Sequence, residues 1–114
     1  MITIILNDQP YGTEKSYNAL RLAIAMQKRD EKINVFLMSD AIFCALKNQE
    51  TPNGYYNIGR MIQLVLSKGG EIGACGSCMN ARGISEDNFI EGVKKSNMDS
   101  LAEWSLQSDK IINY

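Results

Sequence analysis

The sequence predicts an α/β fold built on a mainly parallel sheet with helices on both faces, and three observations lead there. Short apolar or β-branched runs (Ile2 to Leu6, Ile33 to Asp40, Glu71 to Ala74 and the closing "KIINY") are separated by stretches with helical spacing. Neighbouring parallel strands need long crossover connections, which helices supply. The runs also end in residues able to do chemistry, namely Asn7-Asp8, Ser39-Asp40 and Cys75, and ligands of open α/β sheets bind outside the carboxyl ends of the strands. At 114 residues the chain is long enough to bury a core, and residues 1–114 are read as one domain.

Ile2 to Leu6 reads as a first strand buried on both faces. From Thr13 to about Arg29, Tyr17, Leu20, Leu22, Ile24, Ala25 and Met26 recur at three- and four-residue spacings, with Thr13 as the expected cap. "INVFLMSD" is the second strand, passing into a short helix from Ala41 to Lys47. The turn-rich "NQETPNGYYN" is an expected lid or interface loop. A helix over Ile58 to Leu66 is closed by Gly69-Gly70, and the third strand then runs into the cysteines. Ser85-Glu86-Asp87 offers cap-like residues, Asp99 is expected to open a helix carrying Leu101, Trp104 and Leu106, and "KIINY" is read as the fourth and last strand.

Composition narrows the function classes. With 45% hydrophobic and 22% charged residues and a formal net charge of -1, the chain has no electrostatic case for binding nucleic acid or an anionic membrane. The apolar run at the start is too short, and lacks the basic leader, for a signal peptide or a membrane span. A cytoplasmic location is expected, in which Cys44, Cys75 and Cys78 stay mostly reduced.

"ACGSCMNARGI" holds a C-x-x-C pair in a chain without histidine. A structural zinc site wants four ligands, and this pair supplies two, so a metal site would have to be completed between subunits; no metal or cofactor is expected. Placed after a strand and before a helix, the pair suits thiol chemistry. Cys75 would sit at the helix start, where free N–H groups favour thiolate, with Cys78 about one turn in and shielded. Both cysteines being small buried hydrophobes, the reading given to Cys44, stays open.

"PYGTEKSYNALRLAIAM", "VFLMSDA", "GYYNIGRMI", "CGSCMNARGIS" and "LAEWSLQSDKIINY" together resemble the DsrE/DsrF-like family of sulfur-relay proteins, most closely its small YchN-type members, in the same order over almost the whole chain. The resemblance implies a flavodoxin-like three-layer subunit and homohexameric assembly. By analogy with relatives in tRNA thiolation and sulfur oxidation, it also implies a cysteine that takes persulfide sulfur from a donor protein and passes it to an acceptor. The family's sulfur-carrying cysteine, several residues before an Arg-Gly pair, maps onto Cys75, before Arg82-Gly83.

Three functions follow as expectations: a persulfide carrier using Cys75, with Cys78 as its companion; a thiol-disulfide or redox-sensing protein using both; and an assembly or regulatory module without catalysis. Arg82 is a candidate for holding anionic sulfur or an acidic partner, against the plain reading of a solvated cation at a helix end. Asp8 and Asp40 are candidates for the pocket rim, against helix capping, and Tyr11 is a candidate pocket or interface wall, as are Tyr55 and Tyr56.

Overall fold

A computed structural model describes residues Met1–Tyr114. Five strands, β1 (Ile2–Leu6), β2 (Ile33–Leu37), β3 (Glu71–Cys75), β4 (Val93–Ser96) and β5 (Lys110–Asn113), form one sheet in the order β4-β3-β2-β1-β5. Every pairing is parallel. Four α-helices connect them: α1 (Lys15–Gln27), α2 (Ile58–Ser67), α3 (Gly76–Ala81) and α4 (Met98–Gln107), with a 3-10 segment at Ser39–Ala45.

The strand order explains the layering. The chain steps from β1 to β4 in one direction, and right-handed crossovers place those connections on one side of the sheet; the last connection doubles back to β5 and brings α4 to the other side. Alternation along the strands follows suit. Ile2, Ile4, Leu6, Ile33, Val35, Leu37, Ile72 and Ala74 join Ala19, Leu20 and Ala23 of α1 and Ile58, Ile62 and Val65 of α2 in one core. Each of the fully buried branched side chains there contributes roughly 1.5–3 kcal/mol by leaving water. On the opposite face a smaller cluster of Phe36, Cys75 and Leu101 is packed against Ile5, Met38, Cys78 and Trp104, with Trp104 edge-on to Phe36.

The structure corrects the expected elements in four places. There are five strands, because β4 lies in "VKKS", where only Val93 is buried and no apolar alternation marks an edge strand. Helix α1 starts at Lys15 after Glu14, and the Thr13 hydroxyl instead accepts from the Lys15 N–H and donates to Asp8. Helix α4 is capped by the Asn97 side chain, which accepts from the Ser100 N–H, rather than by Asp99. The segment after β2 is a 3-10 helix beginning at Ser39.

Candidate functional site

Both cysteines lie at the carboxyl end of β3, next to the end of β2. Cys75 is the last residue of β3, in register with Ser96 of β4, and is also the N-cap of α3, with φ −58° and ψ 112°. Its Sγ accepts the Cys78 N–H at 3.2 Å and lies 3.3 Å from the Ser77 hydroxyl. An N–H directed at a sulfur favours its thiolate once the thiol is free. The expected position at the start of the helix is thus occupied, although α3 is short.

Cys75 and Cys78 are joined as a disulfide, with Cα atoms 5.2 Å apart, inside the range a bridge spans without moving the backbone. The expected order of exposure is reversed. Cys75 is only 7% exposed because its side chain turns to the face of Phe36 and Leu101, whereas Cys78 is half-buried.

Cys78 has a partner of its own that the sequence does not reveal. The Ser39 N–H donates to Cys78 Sγ at 3.3 Å, across 39 positions of sequence. Ser39 has φ +54°, a left-handed backbone that a residue with a Cβ adopts at some cost.

Arg82 and Asp40 tie these two segments together. Arg82 Nε donates to Asp40 Oδ1 at 2.8 Å, and its Nη1 donates to the Cys78 carbonyl at 3.1 Å. The guanidinium therefore clamps the Ser39–Ala45 segment to α3 and points at no sulfur in this state. Gly83, with φ +69°, ends the helix beyond it in the conformation expected of a C-terminal glycine. Gly76 is required by space: a Cβ there would meet Lys95 Cε at 2.9 Å and the Ser96 carbonyl oxygen at 3.0 Å.

Asp8 and Tyr11 do not join the cysteines. The Asp8 carboxylate serves the start of α1, accepting from Thr13 with Lys15 Nζ 4.0 Å away, and its carbonyl accepts from the Ser16 hydroxyl. The Tyr11 hydroxyl donates to Gln49 at 2.6 Å and accepts from the Ile58 N–H. Its ring stacks on Tyr56, which stacks in turn on Tyr17 and Tyr55, beside an open cavity of about 350 Å³. The turn-rich loop is pinned by Gln49, whose amide donates to the Cys44 and Leu46 carbonyls.

Neither Cys75 nor Cys78 lines any of the five cavities of the molecule. Of the pair, Cys78 is the sulfur with the greater access to solvent. Cys44 is the opposite case, fully enclosed, with burial pushing its thiol up to about 12. No helix is long and apolar enough to cross a membrane.

Comparison with known proteins places this arrangement among relatives. The family model described as DsrE/DsrF-like matches residues 1–114. An uncharacterized protein of Methanopyrus kandleri is 38% identical over 112 residues, covering 98% of this chain and 92% of its own. The YchN protein of Escherichia coli is 36% identical over 115 residues, covering 99% and 97%, and its crystal structure superposes with a TM-score of 0.93 over the same shares of the two chains. A more distant relative, a TusC homolog of Aliivibrio fischeri, is 27% identical over 112 residues, covering 95% and 93%.

Proposed function

The chain belongs to the DsrE/DsrF-like family, and on that premise we propose that it is a persulfide carrier in which Cys75 accepts sulfur from a donor protein and hands it to an acceptor. The observation that carries the reading is the Cys75 sulfur itself, set at the end of a central strand with the Cys78 N–H and the Ser77 hydroxyl directed at it.

The chemistry starts from the reduced pair. Cys75 thiolate attacks the terminal sulfur of the donor persulfide, the donor's S–S bond breaks, and the donor leaves as thiolate while Cys75 holds the added sulfur as a persulfide. A nucleophile of the acceptor then attacks that terminal sulfur, the new S–S bond breaks, and Cys75 thiolate is regenerated. Neither step moves electrons to an outside oxidant, and neither needs histidine or a metal. The exchange needs a sulfur that a partner's cysteine can approach, and the half-buried Cys78 marks where the pair reaches the surface.

Assembly as a homohexamer belongs to the same reading. Leu106 is 89% exposed and Ile111 49% exposed, both on the thinly covered side of the sheet, and association would bury them. Light scattering on the eluted protein measures this, and a monomer mass excludes it. A cytoplasmic location fits a carrier that works as a free thiol.

The test of the carrier reading is loading. The reduced protein is incubated with a cysteine desulfurase and free cysteine, and the 74–84 peptide is weighed. Gain of the mass of one sulfur on Cys75, released as thiocyanate by cyanide, supports the reading. A second reading, a thiol-disulfide couple, is favoured by the Cys75–Cys78 bridge. It predicts no stable sulfur adduct and a bridge that equilibrates with cytosolic glutathione.

A further inference from the structure

We propose that Cys78 is a resolving thiol that discharges an unclaimed sulfur from Cys75 as hydrosulfide and closes the pair into a disulfide, so that a carrier without an acceptor shuts itself off. This rests on the carrier reading and adds to it a product, sulfide, and a further partner class, a dithiol reductant.

Three features of the site carry it. The two Cα atoms are 5.2 Å apart, so Cys78 reaches the inner sulfur on Cys75 with no rearrangement of the backbone. Cys78 Sγ has its own donor, the Ser39 N–H at 3.3 Å, separate from the donors on Cys75; an N–H aimed at a sulfur favours thiolate, the form that attacks. That donor is held in place. Ser39 keeps a left-handed φ of +54°, and the Arg82 bridge from Asp40 to the Cys78 carbonyl fixes the Ser39 segment against α3.

The step balances without an oxidant. Cys78 thiolate attacks the inner sulfur of the Cys75 persulfide; the Cys75–Cys78 S–S bond forms, the bond to the terminal sulfur breaks, and that sulfur leaves as hydrosulfide with its proton. The oxidation level held in the persulfide passes to the disulfide. Return to the loadable state needs two electrons from a dithiol reductant, which enters at Cys78, the more exposed sulfur. Attack at Cys78 frees Cys75 as the leaving thiolate, stabilised by its own donors.

The experiment uses the full-length wild type and Cys78→Ser, each reduced, loaded by cysteine desulfurase with free cysteine, freed of donor and left under anaerobic conditions. Sulfide is assayed and whole-protein mass is followed. Wild type is expected to release one sulfide per loaded chain while its mass falls to two hydrogens below the reduced form. Cys78→Ser is expected to keep the added sulfur, with release slowed about tenfold or more. The wild-type arm stands alone if the variant folds poorly, because sulfide release and disulfide formation must then advance together without oxygen. Equal release from both proteins, or a wild type that retains its sulfur beside a free Cys78, overturns the proposal and leaves the carrier reading intact. If neither protein takes up sulfur, the carrier reading falls and this inference falls with it.

Discussion

Cys44 and the Cys75–Cys78 pair lie at the same end of the sheet, and their surroundings set their sulfurs to opposite tasks. Cys44 is sealed among the side chains of the main core, with the Asp8 carbonyl 3.7 Å from its sulfur and the Ser16 hydroxyl also beside it. Burial penalises the thiolate more than hydrogen bonds from Ser16 and its own backbone favour it, and the Asp8 charge adds to the penalty, so this sulfur holds its proton up to about 12. Cys75 and Cys78 face donors: the Cys78 N–H and Ser77 hydroxyl for one, the Ser39 N–H for the other. Reactivity is thus decided first by burial and then by the hydrogen-bond partners each sulfur is offered. It is not decided by the residue type.

Replacing the sulfur on the donor side makes the largest difference. Cys75→Ser is expected to abolish sulfur loading, while Cys44→Ser leaves loading unchanged; mass analysis of the loaded peptides checks both. Cys44 should also resist iodoacetamide in the folded, reduced protein and react only after denaturant is added, whereas Cys75 and Cys78 react without it. Labelling of native Cys44 at the rate of the pair would erase the contrast.

A second test acts through pH. Folding raises the Cys44 pKa from an ordinary 9.0 to about 12, so the folded state holds this proton more tightly than the unfolded chain. The stabilisation is therefore intact below pH 9 and is lost as pH climbs towards 12, a loss on the order of 4 kcal/mol. Cys44→Ala should flatten this alkaline fall in denaturant-melt stability relative to wild type. Parallel curves would show that Cys44 is hydrated on a timescale the structure does not suggest.

Smaller effects are expected at the frame of the reactive pair. Gly76→Ala forces a methyl group against the Ser96 carbonyl oxygen and the Lys95 stem, and should cost about 1–3 kcal/mol and slow loading, read by chemical melts and adduct kinetics. Arg82→Gln removes an ion pair whose side chains are 29% and 55% exposed, so its cost to stability should be at most about 1 kcal/mol. Its effect on closing of the Cys75–Cys78 bridge should exceed its effect on Cys44 labelling, which should not change.

The parts of the fold that could be read in advance share one property: their signal is local. Ile2–Leu6, "INVF" and "EIGA" are compact apolar runs, and Ile58, Ile62 and Val65 keep helical spacing, so the central strands and α2 declare themselves. Strand β4 does not. Lys94 and Lys95 are exposed on an edge strand, and only pairing with β3 makes that segment extended. The C-x-x-C spacing likewise announces two thiols within one helical turn and an N-cap at Cys75.

The sequence by itself determined a parallel α/β layering and put a thiol at a strand end, because periodicity, turn residues and strand-to-helix order act over a few positions. Tertiary structure decided which sulfur is buried and which group faces each one. Ser39 and Cys78 are 39 positions apart, Arg82 and Asp40 are 42 apart, and Asp8 and Cys44 are 36 apart. These contacts exist because adjacent parallel strands bring their carboxyl ends together at one edge of the sheet. The resulting burial and hydrogen-bond direction, which no local pattern encodes, set the access of each cysteine and the proton affinity of Cys44.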